Sequence, residues 1–278
     1  LEPGAGDARG GWDALTFSAF GVPIRIAVND AALLERLPAY LPPQWRPAPP
    51  ERARFHYALA RHGDGACSVR SGPADRHRFP SEERALEAVA SALHMTVSRH
   101  ATEGLFVHAG VVGWHGQAIV IPGRSFTGKT TLTKALVEAG AVYYSDEFAV
   151  FDEAGLVHPY ARPLSIRHGG TVRGTRTPVE ALGGEAGRRS LPVGLVLVTR
   201  HEPGAAWSPV PLSAGQAVLR LLDNTVRAQE VPEAAIAVLG RAVDGARVLE
   251  GPRGEAAALA PRLLAAVTDG AGGGPDRG

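Results

Sequence analysis

The sequence predicts an α/β fold, preceded by a small α+β domain. Two observations lead to this fold class. After residue 104, short apolar strand candidates alternate with helix candidates, as in a sheet that helices cover. Before it, strand candidates dominate, and one long amphipathic helix closes the segment. We therefore expect an N-terminal α+β domain at 1–100, an α/β domain at 101–268 and a disordered Gly-rich tail at 269–278.

The N-terminal domain contains three strand regions. Apolar and β-branched residues favour strands at Leu15–Val28, Phe55–Ala60 and Ser68–Phe79. The Pro-rich stretch Leu41–Pro50 interrupts them, because proline cannot donate to a strand ladder.

A helix is predicted from Glu82 to about His100. Ser81 is a suitable N-cap, and Glu82 and Glu83 are favourable in the first turn, where the helix dipole attracts negative charge. Apolar residues recur at helical spacing on one face: Leu86, Val89, Leu93 and Val97.

The α/β domain begins with two strands joined by a tight turn. Leu105–Val112 and Gln117–Pro122 are apolar strand candidates, and the second leads directly into a glycine-rich loop. A helix follows the loop and stops at Gly140, a residue type common just after helix ends. The next predicted segments are helix Thr130–Ala139, strand Ala141–Ser145, the acidic pair Asp146–Glu147 and strand Phe148–Asp152.

The rest of the chain adds a buried strand and three helices. Residues Arg162–Arg189 are rich in Gly, Arg and Thr with little periodicity, which predicts a mobile surface segment. The elements expected after it are strand Val193–Thr199, helices Ser213–Asp223, Pro232–Val243 and Glu255–Val267, and a short strand at Arg247–Glu250.

Composition excludes several classes of partner. A net charge of +1, scattered arginines and 6% aromatic residues argue against nucleic-acid binding. No apolar run approaches the roughly 20 residues that span a bilayer, and Leu1–Gly11 lacks the layout of a signal peptide, so we expect no membrane partner. Cys67 is the single cysteine and cannot form an intramolecular disulfide, which fits a reducing compartment; the expected location is the cytoplasm.

The most specific motif is a phosphate-binding loop. Residues 123–130 fit G-x-x-x-x-G-K-[ST] and lie between a predicted strand and a predicted helix. The glycines let backbone N–H groups approach phosphates, Lys129 reaches the β- and γ-phosphates, and Thr130 supplies a hydroxyl to Mg²⁺. The only other lysine of this Arg-rich chain is Lys134. The predicted cofactors are ATP and Mg²⁺, held by Gly123, Arg124, Ser125, Phe126, Thr127, Gly128, Lys129, Thr130 and Thr131.

Asp146 and Glu147 come directly after the strand that follows the loop helix. Loops at the carboxyl ends of strands project into the crevice of an α/β sheet, so we expect both side chains near the phosphates. A phosphotransferase needs carboxylates to hold Mg²⁺ and to orient or deprotonate the attacking hydroxyl. We predict Asp146 as the base, and Glu147 as a metal ligand together with Thr130 and Asp146. The alternative is a pair of solvated turn residues.

Three further side chains are candidates for the site. His108 lies in the middle of a predicted strand, where a hydrogen-bonded core histidine is the commoner role. Arg162 and Arg167 flank the apolar stretch Pro163–Ile166, and either could neutralise charge on a transferring phosphoryl group; the alternative is a surface arginine. Four other arginines are expected on a solvated loop: Arg173, Arg176, Arg188 and Arg189.

The middle of the chain resembles the catalytic domain of the HPr kinase/phosphorylase family, which shares a core with phosphoenolpyruvate carboxykinases. The resemblance rests on His108 followed by a small residue, on the loop 123–130 and on Tyr144-Ser145-Asp146-Glu147. It implies a P-loop core of that type with a mixed sheet. It also implies that His108 lies close to the transferring phosphate, that Asp146 is the base and that Glu147 helps to bind metal.

The pattern is also similar to HPr-kinase-like proteins encoded with ribosomally made peptides, including lasso-peptide tailoring kinases, which phosphorylate a Ser near the end of a precursor. This implies an ATP-dependent Ser kinase for a peptide or small protein. Members of the family are often hexameric or dimeric, which implies a homo-oligomer. The family's Arg-Gly-Leu-Gly-type signature does not occur between Thr171 and Val193. Two alternatives stay open, a nucleotide-binding regulatory protein without transfer and a small-molecule kinase or ATPase.

Overall fold

In the computed structural model the chain is of mixed α/β type, which confirms that part of the predicted fold class. It divides into two compact units, Leu1–Glu103 and Gly104–Gly278. The domain limits expected from the sequence, at 1–100, 101–268 and 269–278, stay a prediction. The residues that the structure describes are 11–72, 75–124, 127–166 and 174–271.

The first unit is built on one sheet. Its elements are β1 (Asp13–Ala19), β2 (Val22–Val28), α1 (Ala31–Arg36), β3 (Arg46–Pro47), β4 (Phe55–Arg61), β5 (Cys67–Arg70), β6 (Arg76–Phe79) and α2 (Glu82–His100). The described strands lie in the order β3-β1-β2-β4-β5-β6. Strands β2 and β4 run parallel, and the other neighbouring pairs run antiparallel.

The strand region predicted at Leu15–Val28 is interrupted at its centre. Phe20 and Gly21 have positive φ angles of 49° and 76°, so the chain reverses there and β1 and β2 pair as a hairpin. A two-residue turn of this hand matches the twist of antiparallel strands. The sequence reasoning missed the turn because an aromatic residue rarely adopts this backbone conformation.

Helix α2 forms where the apolar spacing predicts it. The Ser81 hydroxyl accepts the N–H of Arg84, and Glu82 and Glu83 occupy the first turn. All four predicted apolar positions are buried, and the helix packs on β4, β5 and β6. The helical spacing of these four apolar residues therefore places them against the sheet.

The second unit contains a larger mixed sheet. Its elements are β7 (Leu105–Trp114), β8 (Gln117–Pro122), α3 (Lys129–Glu138), β9 (Val142–Ser145), β10 (Phe148–Phe151), β11 (Val157–His158), β12 (Leu164–Ile166), β13 (Thr175–Thr177), β14 (Val193–His201), β15 (Val210–Pro211), α4 (Ala214–Leu222), α5 (Pro232–Ala242), β16 (Arg247–Arg253) and α6 (Ala256–Ala271). Within the described residues the order is β11-β10-β7-β8-β14-β16-β15, while β9 also pairs with β7 and β12 pairs separately with β13. Strands β8, β14 and β16 run parallel.

Strand β7 has two partners along one edge. Its first half pairs with β10, where His108 lies opposite Phe148, and its second half pairs with β9, where Val111 lies opposite Ser145. The two pairs belong to one register, so residues 146–147 fill the gap between β9 and β10 without an extra residue. The other edge of β7 pairs with β8, which leads into the glycine-rich loop. The acidic pair and the glycine-rich loop therefore lie on opposite edges of the same strand, β7.

Helices cover both faces of this sheet. Alternate residues of β8 point to opposite sides, so Ile119 and Ile121 join a core with α3 and α6, while Val120 joins a core with α4 and α5. On the neighbouring strand, Leu195 and Val196 alternate in the same way. The result is a layered α/β unit whose strand ends are free to carry loops.

Several short elements differ from the sequence predictions. Strands β11, β12, β13 and β15 and helix α1 were not predicted, because two to six residues show no clear period. The segment Arg162–Arg189 was expected to be a mobile surface stretch, yet its described part includes β12, β13 and the fully buried Leu164. No helix in the described part of the chain is both long and apolar enough to cross a membrane.

Candidate functional site

The glycine-rich loop links β8 to α3. The N–H of Gly123, at the start of the loop, donates to the carbonyl of His108 at 3.1 Å and ties the loop to β7. Gly128 immediately precedes Lys129, the first residue of α3, and has a left-handed φ of 86° that suits glycine. The N-terminus of α3 thus opens at the loop, where free N–H groups and the helix dipole favour an anion.

Two side chains of the loop bind the same backbone oxygen. The carbonyl of Arg124 accepts from Thr127 Oγ1 at 2.9 Å and from Lys129 Nζ at 2.6 Å. These bonds hold the loop close to α3 without a ligand. Of the other predicted loop residues, Thr131 is exposed on the first turn of α3, and two lie outside the described residues, Ser125 and Phe126.

Lys129 carries a desolvated charge. Burial lowers the pKa of its ammonium group from 10.5 to about 8, although Asp146 and Glu147 oppose the shift. Among the described residues it forms no ion pair within 4.0 Å. A cation that has lost water and lacks a carboxylate partner suits an anionic ligand such as phosphate.

This lowered pKa predicts a pH dependence of nucleotide affinity. Below about pH 8 the free protein already holds the charged ammonium, whereas above it binding has to recruit a proton. We expect the dissociation constant to rise by up to about tenfold per pH unit between pH 8 and the ordinary lysine pKa, because phosphates favour the charged form. Calorimetric titrations from pH 7 to 10 measure it.

Lys129→Arg should bind with no such dependence, because a guanidinium stays charged over this range. Lys134→Ala should keep the wild-type profile, since Lys134 pairs with Glu138 on the exposed side of α3. A wild-type dissociation constant that is unchanged from pH 7.5 to 9.5 would contradict the role of Lys129.

Asp146 meets the loop helix. The Thr130 hydroxyl donates to its Oδ2 at 3.3 Å, the Ser165 N–H donates to the same oxygen at 3.3 Å, and the Tyr143 hydroxyl lies 3.0 Å from Oδ1. Burial raises the pKa of the Asp146 carboxyl, against the hydrogen bonds from Tyr143 and Ser165. The structure therefore places the acid beside the loop hydroxyl, in a site that makes it more basic than an exposed aspartate.

Ser145 shapes the turn that presents the acidic pair. Its hydroxyl accepts the N–H of Glu147 at 3.2 Å and the N–H of Phe148 at 3.0 Å. Side-chain bonds of this kind stabilise a turn between two strands. The backbone of the pair is thereby fixed by Ser145 and not by the two carboxylates.

Glu147 pairs with Arg162. Arg162 Nη1 donates to Glu147 Oε2 at 2.5 Å, and the arginine side chain is 13% exposed against 44% for the glutamate. Burial lowers the pKa of Arg162, and Glu147 opposes this shift. Arg162 thus lies at the site but is held by a carboxylate, and Arg167 lies outside the described residues.

His108 lies on the same side as the loop. Its ring packs against Phe148 at a centroid distance of 4.7 Å, and its backbone N–H donates to Asn224 at 2.7 Å. Burial lowers the pKa of the imidazole, and the charge of Lys129 lowers it further. A neutral imidazole near Lys129 can donate or accept one hydrogen bond at a phosphate.

Two buried residues of the site escaped the sequence reasoning. Tyr143 is 1% exposed and its hydroxyl lies within 2.8 Å of the Arg162 carbonyl as well as near Asp146. Arg253 is 1% exposed and donates to the carbonyl of Gly128. Tyr143 stood three residues before Asp146 without a motif, and nothing local linked Arg253 to the loop.

The donor set fits a magnesium nucleotide. Hydroxyl and carboxylate oxygens from Thr130, Asp146 and Glu147 are hard ligands, and Mg²⁺ in such sites takes one or two carboxylates together with phosphate oxygens. In the described residues no cluster of three or more His, Cys, Asp or Glu could hold a metal ion alone. The residues therefore suit a cation that arrives with phosphates.

Comparison with known proteins gives little sequence similarity. No protein-family model matches the sequence, and no curated protein matches it. Among solved structures the chain is similar to the HPr(Ser) kinase/phosphatase of Coxiella burnetii, with a TM-score of 0.35 and 13% identity over 59% of this chain and 94% of that one. A likeness of this size carries no argument about function, which rests on the site geometry.

Proposed function

We propose that the protein is an ATP- and Mg²⁺-dependent phosphotransferase that moves the γ-phosphoryl group to a hydroxyl. The observation that carries this proposal is the 3.3 Å contact between Thr130 Oγ1 and Asp146 Oδ2, which joins the phosphate loop to a half-buried carboxyl with a raised pKa. A loop alone supports nucleotide binding. A basic carboxylate beside it supports transfer, because an attacking hydroxyl has to lose its proton.

Each side chain has a distinct task in this proposal. Lys129 and the N-terminal N–H groups of α3 would hold the phosphates, and Thr130 and Glu147 would hold Mg²⁺, whose charge would offset that of the phosphate oxygens. Asp146 orients the acceptor hydroxyl and takes its proton as the acceptor oxygen bonds to the γ-phosphorus. The bond from that phosphorus to the β,γ-bridging oxygen breaks, and ADP leaves with the electron pair.

Arg162 has a supporting task. Because its guanidinium is bound to Glu147, it first fixes the orientation of that carboxylate. His108 adds a hydrogen bond at the phosphate from the β7 side. These two residues would stabilise charge that spreads over the equatorial oxygens during transfer.

For the acceptor we propose a Ser hydroxyl on a peptide or small protein. This finer assignment is supported by the sequence resemblance to peptide-tailoring kinases. A ribosomally made precursor peptide is one such acceptor. A regulatory nucleotide-binding protein and a small-molecule kinase or ATPase are the outcomes against which it is tested.

The test is incubation of the pure protein with Mg²⁺ and γ-labelled ATP against Ser-containing peptides, free serine and sugars. Label on a peptide Ser supports the proposal, and label on free serine or a sugar identifies a small-molecule kinase. Release of labelled phosphate alone identifies an ATPase. Nucleotide binding without transfer or release would replace the proposal by a regulatory role.

A further inference from the structure

A buried arginine lies behind the phosphate loop. Arg253 is the last residue of β16 and is 1% exposed. Its Nη2 donates to the carbonyl of Gly128 at 2.8 Å and its Nη1 to the carbonyl of Gly254 at 3.0 Å. The side chain therefore joins the end of β16 to the start of α3, across 125 positions of the sequence.

The charge of Arg253 has no carboxylate partner among the described residues. Within the described part of the chain its Nε has no hydrogen-bond partner, and its two side-chain hydrogen bonds go to neutral carbonyls. The neighbouring acid Glu255 has a 78% exposed side chain and lies 3.2 Å from His201 instead. Burial lowers the pKa of Arg253, and the charge of Glu255 opposes this shift. A buried guanidinium without a carboxylate in hydrogen-bond contact is costly, so it is better explained by a ligand than by stability.

The bond to Gly128 acts on the peptide group that a phosphate would meet. The carbonyl of Gly128 and the N–H of Lys129 belong to one peptide unit, and the same carbonyl also accepts the N–H of Leu132 at 3.0 Å. A cation on the carbonyl polarises the unit and strengthens its N–H as a donor. A helix gives its first four N–H groups no intrahelical partner, and that N–H is the first of them in α3.

The Arg253 guanidinium also packs directly against Gly128. A Cβ atom at position 128 would lie 2.5 Å from Arg253 Nη2, and the φ angle there is already left-handed. The guanidinium therefore fills the space that a side chain at 128 would need. It holds the loop in the conformation from which α3 begins.

We propose that Arg253 is a positioning residue of the phosphate loop, which holds the Gly128 peptide and supplies a buried positive charge for a nucleoside polyphosphate. This rests on the proposed nucleotide site and names a component of it beyond the loop. The positive charge of Arg253 favours the nucleotide-bound state. In the ligand-free protein the same buried charge lowers the stability of the fold.

The test compares Arg253→Met with Arg253→Lys in the full chain. MgATP and pyrophosphate affinities are measured by calorimetry, and the melting temperature is measured without ligand. We expect Arg253→Met to weaken both affinities by about 10- to 100-fold, as loss of a charge-assisted contact does. The ligand-free melting temperature should stay equal or rise, because an unpaired buried charge is removed. Arg253→Lys should restore part of the affinity.

Arg247→Met is the matched control, because Arg247 is exposed at the opposite end of β16. It should leave both affinities unchanged. Unchanged affinities in Arg253→Met would overturn the proposal. So would a weaker affinity that comes with a lower ligand-free melting temperature and no rescue by lysine, since that pattern means a structural role.

The same experiment separates this inference from the proposed transfer. If MgATP binding depends on Arg253 but no hydroxyl is labelled, the transferase proposal fails and the role of Arg253 stands. If hydroxyls are labelled and Arg253→Met binds normally, only the role of Arg253 fails. A wild-type protein that binds neither MgATP nor pyrophosphate would refute both.

Discussion

Asp146→Asn is expected to reduce phosphoryl transfer by about 10²- to 10⁴-fold, the usual contribution of a general base. Asparagine has the same size and can still accept the hydrogen bond from Tyr143. It cannot take the proton of an attacking hydroxyl. We expect nucleotide affinity to change by less than about threefold, because the loss concerns a group that acts in the transition state. Transfer rates and calorimetric affinities measured on the same preparation separate the two effects.

The matched control is Asp152→Asn. Asp152 follows β10 at the end away from the acidic pair and binds His158 at 2.7 Å, so this variant should transfer at the wild-type rate. Near-normal transfer by Asp146→Asn would show that Asp146 is not the base. A parallel loss of nucleotide affinity would instead identify it as a binding residue.

Lys129→Ala is expected to weaken nucleotide binding by about 10- to 100-fold and to lower transfer further. The alanine removes a desolvated cation that pairs with no acid among the described side chains. Lys129→Arg should bind nucleotide but not restore transfer, because a planar guanidinium directs its charge and donors differently from a compact ammonium. Titration with MgATP and single-turnover transfer measure these changes.

Lys134→Ala provides a close comparison on the same helix. It removes the only other lysine of the chain and its ion pair with Glu138, which contributes up to about 0.5 kcal/mol to the helix. Affinity and transfer should remain at wild-type values. If the two lysine variants behaved alike, the loss would reflect helix α3 rather than the phosphate site.

The parts of the fold that sequence reasoning predicts well are those with a local signal. Strand β8 ends at Pro122 as expected, and α2 spans Glu82–His100 because its cap and its apolar period agree. Phe20 gave no turn signal, so the β1–β2 hairpin was missed. Strands β12 and β13 are three residues each, too short for alternation to appear.

The residues of the candidate site likewise divide into those with a local sequence signal and those without one. The loop and Asp146 follow from motif and position, although only the structure gives their 3.3 Å contact. Arg253 could not be found in this way, because its link to Gly128 joins segments that are far apart in the chain. The pairing of Arg162 with Glu147 likewise depends on how the chain folds and has no local sequence signal. The roles assigned to these residues remain predictions that the variants test.

The single register that runs from Ser145, at the end of β9, into β10 limits how this region can vary in evolution. Residues 146–147 hold places opposite β7, and the N–H of Ala109 donates to the carbonyl of Glu147 at 3.1 Å. An insertion or deletion at this point would shift β10 by one residue and turn Phe148 to the opposite face. Substitutions that keep the length leave the ladder intact. Residues 146–147 can therefore be substituted without disturbing the strand pairing, whereas a change in the length of this segment would disrupt it.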